Sequence, residues 1–203
     1  MKKLLIPIII LAVLAFGIYT WAVGFNNTAV TYEANAKTAW SNVESAYQRR
    51  NDLIGNLVKT VQGAADFEKG TLESVIKARA EATKTTINAG GLTPENMAKF
   101  QQAQSGLTGA LSKLMVVVER YPELKANQNF LELQSQLEGT ENRINIVRNK
   151  FNEKVNIYDI HTTKFPGKLL AGLFGFEEMS RYKADAGSEN AVDVDFKFGD
   201  KKE

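Results

Sequence analysis

Hydrophobic and polar positions divide this chain into three regimes. The first is LLIPIIILAVLAFGIYTWAV, Leu4 to Val23, which carries no charge; about 20 apolar residues is the length that crosses a bilayer as a helix. The second is helical. Trp40, Val43, Tyr47, Arg50, Ile54, Leu57, Val61 and Ala64 fall at alternating steps of three and four, the a/d seam that packs one helix along another. The third is the tail, where Val192, Val194, Phe196 and Phe198 alternate with Asp193, Asp195 and Lys197 in the period of a strand.

Three more helical segments come after the first seam. Gly55 and Gly63 weaken that seam, and Gly63 marks its end. A second segment from about Phe67 to Ile87 carries Leu72, Val75, Ile76 and Arg79. NAGGLTPEN then forms a loop, with Thr93 as N-cap and Pro94 in the first helical position of a third helix. That helix is expected to run to Arg120, with Phe100, Leu107, Leu111, Leu114, Met115 and Val118 inward, and to break at Tyr121-Pro122. In the fourth, Phe130, Leu133, Leu137, Thr140, Ile144, Val147 and Phe151 keep the three–four alternation, and Val155 and Tyr158 extend it. Short loops between consecutive helices predict an all-α fold, an antiparallel up-down four-helix bundle preceded by one N-terminal transmembrane helix. The first and fourth segments, each about 35 residues and about 50 Å long, outrun the other two, so one end is expected to be a two-helix stem. The expected divisions are 1–25 for the anchor, 28–160 for the bundle, 161–182 for an apolar C-terminal segment and 183–203 for a flexible tail.

The flanks of the apolar run bear on topology. Lys2 and Lys3 precede it and the next basic residue is Lys37, which places the N-terminus in the cytoplasm and the bundle outside it. Tyr19 and Trp21 sit near its far end, where aromatic rings favour the interface. Ala22-Val23-Gly24 offers small residues to a signal peptidase, but the run is longer than a usual signal-peptide core, and a retained single-pass anchor in the cell membrane is the expectation.

Composition narrows the chemistry. The 25 basic and 23 acidic side chains leave a formal charge of +2, no general attraction for nucleic acid. With no cysteine and one histidine, disulfides, thiolate nucleophiles, zinc–cysteine sites and histidine relays drop out, and no cofactor is expected.

The order of several blocks carries a resemblance. AWSNVESAYQRRNDLIGNLVKTVQG is followed by LESVIKARAEA, by YPELKANQNFLELQSQLEGTENRINIVRNKFNEKVNIYD and by KFPGKLLAGLFGF, all after a membrane helix. In these, from Ala39 to Phe176, the chain resembles the LemA family. The resemblance implies a membrane-tethered, mostly helical bacterial protein and brings no catalytic residues with it. The chain departs from the family pattern at Gly55, where proline is expected after Asp52-Leu53-Ile54, and at His161.

The charged positions have two readings each. Arg50 occupies the first seam, and an antiparallel arrangement brings it opposite Glu141 or Glu138, so Arg50 and Glu141 are expected to form a structural ion pair that fixes register. The alternative is an enzyme site built on Arg49, Arg50, Asp52 and Glu141. Arginine is no general base and no phosphate-cradling loop adjoins it, which favours the strut. His161 is expected to complement a helix C-terminus, and Glu177 with Glu178 to be solvated surface. In FPGKLLAGLFGF, Phe165, Leu169, Leu170, Leu173, Phe174 and Phe176 form an apolar segment that topology returns to the membrane. It either lies at the bilayer surface or folds back to cap the bundle. The functional expectation is a non-enzymatic scaffold or adaptor of the bacterial envelope. Membrane lipids meet its N-terminal helix and an envelope protein is its partner; the alternative is a lipid-surface module acting through FPGKLLAGLFGF. A heptad surface also permits a homo-oligomer.

Overall fold

The structure is a computed structural model that describes residues 2–63 and 68–183, with side chains from Leu5 onward. Ala64, Phe67 and the alternating positions from Val192 to Phe198 lie outside the described residues, as does nearly all of the expected 183–203 tail. Six helices make up the rest: α1 (Lys2–Gln62), α2 (Lys69–Lys84), α3 (Pro94–Val118), the single turn α4 (Pro122–Lys125), α5 (Gln128–Thr163) and α6 (Gly167–Phe174). The fold is all-helical, with no strand among the described residues.

The apolar run and the first seam belong to one helix. Asn26-Asn27-Thr28, a polar trio that reads as a boundary, does not interrupt α1. The Thr28 and Thr31 hydroxyls donate to the carbonyls of Gly24 and Asn27 at 2.9 and 2.8 Å, so these polar side chains are satisfied within the helix. Two burial patterns meet here. From Leu5 to Trp21 every side chain is exposed, on all faces of the helix. From Phe25 onward only one side is buried: Phe25, Ala29, Ala36, Trp40 and Val43 form a stripe, which from Ala46 widens to take in Tyr47, Arg50, Asn51, Leu53, Ile54, Leu57, Val58 and Val61. The seam thus starts about four turns ahead of Trp40, at Phe25. An all-round apolar surface left uncovered is the signature of a lipid-facing span, whereas a stripe is that of a helix on a core.

Punctuation elsewhere obeys the side chains. The Thr93 hydroxyl caps α3 by accepting from the Asn96 N–H at 3.2 Å, with Pro94 next. Asn127 caps α5 in the same way, accepting from Phe130 N–H at 3.2 Å. Pro122 ends the α3 path and nucleates α4, a turn that sequence periodicity does not reveal. The second helix is shorter than expected, ending at Lys84 rather than Ile87, and Ile76 faces solvent while Val75 and Ala82 are buried.

The inter-helix contacts give directions. Along α1 and α5, Phe25 meets His161, Trp40 meets Phe151 and Arg50 meets Glu141, so the two run antiparallel over their shared length. Arg79 of α2 donates to the Asn51 carbonyl at 2.7 Å, and its guanidinium lies over Gly55, where a Cβ would come within 3.1 Å of it. On α3, Phe100 packs on Trp40 and Tyr47, and Gln104 bonds Arg50, so α3 ascends alongside α1.

Trp40 is the hub of one of the two larger core clusters. Its ring makes edge contacts with Phe100 and Phe151 at 5.5 and 5.0 Å, and its indole N–H donates to the Ile87 carbonyl at 2.7 Å. Three helices and the α2–α3 loop therefore converge on one buried side chain. Trp40→Ala is expected to lower unfolding free energy by about 3–5 kcal/mol, from lost burial, the cavity and the orphaned carbonyl. Denaturant melts of the full chain in detergent, monitored by far-UV circular dichroism, read this directly; a change below about 1 kcal/mol would contradict the role given to Trp40.

Candidate functional site

Four positions were candidates for shared chemistry, and they separate onto two sides of the α1/α5 pair. Arg50 and Glu141 face a groove between α3 and α5. Arg49 and Asp52 line a wide cleft on the other side, with Glu44, Gln136 and Arg143. Adjacent residues on a helix point about 100° apart, which is why neighbours such as Arg49 and Arg50 part company. The four are not gathered into one site.

On the groove side, Arg50 lies inside the protein. Its side chain is 5% exposed, against 47% for Glu141. One terminal nitrogen donates to Glu141 Oε2 at 3.2 Å and the other to Gln104 Oε1. The Tyr47 ring lies 4.8 Å from the guanidinium carbon, a cation–π contact. Arg50 Nε is buried with no acceptor. The sequence reading has Arg50 facing a carboxylate alone; the structure adds Gln104, a buried amide on the third helix that charge patterning cannot reveal. Because Glu141 is half exposed, solvent screens its attraction to Arg50. The buried Gln104 is the partner that suffers more if Arg50 is removed.

The opposite cleft is broad and open, about 1250 Å³. Asp52 accepts from Gln48 Nε2 at 3.1 Å on the helix surface. Burial pushes the Glu44 carboxyl above its ordinary value. No group of three or more His, Asp or Glu suited to a metal ion forms among the described residues.

The apolar C-terminal segment divides its side chains between two surfaces. In α6, Leu170 and Ala171 are buried against Phe25 and Ala29 of α1, with Phe176 packed alongside. Gly167 permits this approach: a Cβ there would come within 2.7 Å of the Phe25 ring and 2.9 Å of the His161 carbonyl. Phe165, Leu169 and Leu173 are 82%, 68% and 77% exposed, and Phe174 is exposed as well. His161 stacks on Phe25 with centroids 4.5 Å apart, and its Nε2 lies 3.2 Å from the Phe25 carbonyl oxygen. It ties the end of α5 to α1, in addition to lying in the last turn where a basic group complements the helix dipole.

Beyond α6 the chain turns at Gly175, whose φ of 77° suits glycine, and runs back along α5 in an extended course. Tyr158 Oη donates to the Glu177 carbonyl at 2.9 Å. Asp159 accepts from Met179 N–H at 3.1 Å and pairs with Arg181 at 2.9 Å. Asn152 then grips Tyr182 at both backbone atoms, accepting from its N–H at 2.9 Å and donating to its carbonyl at 2.8 Å. The Tyr182 ring sits 3.6 Å from the Arg148 guanidinium carbon, and its hydroxyl is 3.0 Å from that of Tyr47 in the core. Burial, then the neighbouring Tyr182, pushes the Tyr47 hydroxyl far above its ordinary value, so it stays protonated. Burial, then the nearby carboxylates, pushes Tyr158 up to about 12. Sequence reasoning missed this strap. The signal was present as polar residues, Asn152 and Asp159, flanking the apolar face of α5.

Arg50→Ala is expected to cost about 2–4 kcal/mol, chiefly through the orphaned Gln104 and the lost packing. Glu141→Gln is expected to cost under about 1 kcal/mol because its carboxylate is half exposed. Urea melts of both variants check the order; equal losses would place the energy in the ion pair instead.

Known proteins resemble this sequence. Residues 39–196 match the LemA family. The chain is 28% identical to the magnetosome protein MamQ of Magnetospirillum gryphiswaldense, over 89% of this chain and 72% of that one. It is 27% identical to magnetosome protein MamQ 2 of Paramagnetospirillum magneticum, over 93% and 75%. It is 23% identical to protein LemA of Metamycoplasma hominis, over 87% and 81%. With the match spanning the core helices, α6 and the strap, the chain belongs to the LemA family.

Proposed function

We propose that this LemA-family protein is a non-enzymatic scaffold or adaptor of the bacterial cell envelope, held at the cell membrane by a single span. In this reading α1, α2, α3 and α5 form an up-down four-helix bundle on the extracytoplasmic side, with Lys2 and Lys3 retaining the N-terminus in the cytoplasm. The observation that carries it is the continuity of α1. One helix leads from the uncovered apolar span into the core without a hinge. Its 61 residues, at about 1.5 Å each, make a rod about 90 Å long. Such a rod transmits position rather than chemistry. The separation of Arg49 and Asp52 from Arg50 and Glu141 also speaks against a shared catalytic site. The Arg50–Glu141–Gln104 cluster is assigned the structural task of fixing how α1, α3 and α5 are aligned.

Photo-crosslinking in intact membranes tests the adaptor role, using reactive residues at the exposed positions Val116, Leu131 and Ile146. At least one site is expected to capture a defined envelope protein. Capture of nothing specific from all three would overturn the reading.

A second reading adds lipid-surface contact through α6, and one observation favours it. Phe165, Leu169 and Leu173 are left exposed on a segment whose other face is fastened at Phe25, one turn beyond Trp21. The chain has no native cysteine, so Leu173→Cys accepts one environment-sensitive fluorophore. In nanodiscs its emission is expected to shift blue and resist aqueous quenchers, while the same label at Ile146→Cys does neither. Equal quenching at both positions would leave α6 in water. Any truncation meant to remove the span should end before Trp21, because Ala22 and Phe25 belong to the α6 dock.

A further inference from the structure

Between α3 and α5 a groove of about 360 Å³ stands open. Leu107, Leu111 and Met115 wall one side and Leu137 the other, with Ile54 and Arg50 at the floor. It lies in the same inter-helix space as the core, directly over the buried Arg50 and Ile54. Leu and Met side chains on the α3 side, with an amide and two carboxylates on the α5 side, suit a segment that brings apolar side chains to one edge and backbone N–H groups to the other.

The strap points toward it. Asp159, Asn152 and Arg148 hold the extended chain from Met179 to Tyr182. Moving back along α5, Glu141, Glu138 and Gln134 continue that stripe at helical spacing, and these three line the groove. The surface that clamps residues 179–182 thus becomes the α5 wall of the groove. Asn152 also displays the bonding an extended chain requires on a helical surface, one side-chain amide answering both backbone groups of one residue. The family match runs on to residue 196, past the last described residue, so the sequence beyond the strap is part of the family's domain. That sequence carries Val192, Val194, Phe196 and Phe198 in strand period, placing all four on one side of an extended chain.

We infer that the groove between α3 and α5 receives the chain's own residues 188–203, with Val192, Val194, Phe196 and Phe198 laid against its walls as a continuation of the strap. The reach suffices. From Lys183 to Val192 an extended chain spans about 30 Å, at about 3.3 Å per residue. Arg148 to Gln134 along α5 is about 21 Å, at about 1.5 Å per residue. The tether keeps the segment at high local concentration, so a modest intrinsic affinity holds it in place.

The absence of native cysteine makes the test clean. Val194→Cys is paired with Leu111→Cys in the groove, and separately with Ser45→Cys, which lines the cleft on the other side of α1. The full chain is reconstituted in nanodiscs at one copy per disc and oxidised mildly. The groove pair is expected to form an intramolecular disulfide at least about tenfold faster than the Ser45 pair. Val194→Cys with Met115→Cys serves as a second groove pair, in case the Leu111 change loosens α3. Equal rates at groove and cleft would overturn the inference, as would groove disulfides that form only between two copies when discs carry two. Failure here leaves the adaptor reading standing, because that rests on partners captured from other faces.

Discussion

A helix that passes from lipid into a protein core must satisfy two solvents with one hydrogen-bonded ladder. In lipid the backbone groups have to be paired internally, which α1 meets by running unbroken through the apolar segment, Pro7 near its start being the one residue there without an amide to donate. In the core the same helix has to offer an apolar stripe, which begins at Phe25. The changeover occurs within about one turn, between Trp21 and Phe25, and α6 is fastened at that point. Everything downstream takes its position from this. α5 returns along the stripe to Phe25, α6 closes over it, and the strap then retraces α5.

Within that frame the polar side chains of Arg50 and Asn152 meet partners on other elements. Apolar side chains along a seam would tolerate slippage by a turn, since a Leu exchanges readily for a Val in the next layer. Arg50 meets Gln104 and Glu141 with its two terminal nitrogens and Tyr47 with its face, so a one-turn shift of α1 would break the bonds to both Gln104 and Glu141. Asn152 likewise serves both backbone atoms of Tyr182. These contacts sit on several different elements, so their joint geometry is restrictive.

Much of the helical layout was legible because a three–four alternation is a property of the chain itself. The caps at Thr93 and Asn127 and the break at Pro122 are written locally, as is the span from Leu5 onward. The Arg50–Gln104–Glu141 cluster was half legible. Arg50 in an apolar seam announces a partner, but Gln104 is an ordinary amide among many until α3 is placed against α1. The strap was hidden for a different reason. An extended segment held by side-chain amides has no periodicity, and Asn152 and Asp159 look like solvated flank residues until the chain comes back to them. Likewise, no spacing rule divides FPGKLLAGLFGF into a buried and an outward face. That division comes from where Gly167 lets it touch Phe25.

The Arg79 side chain has a consequence for the kind of helix α1 is allowed to be. In an α-helix the Asn51 carbonyl expects its donor from the amide of residue 55, and Arg79 already supplies another from α2 at 2.7 Å. The amide at 55 is therefore redundant. Proline, expected there from the family pattern, would abolish that amide and push the carbonyl outward, toward the guanidinium. Glycine keeps the helix straight and leaves flat space on which the guanidinium rests. Glycine at 55 leaves room for the guanidinium of the neighbouring helix, and that guanidinium in turn answers the one carbonyl whose helical donor a proline there would remove.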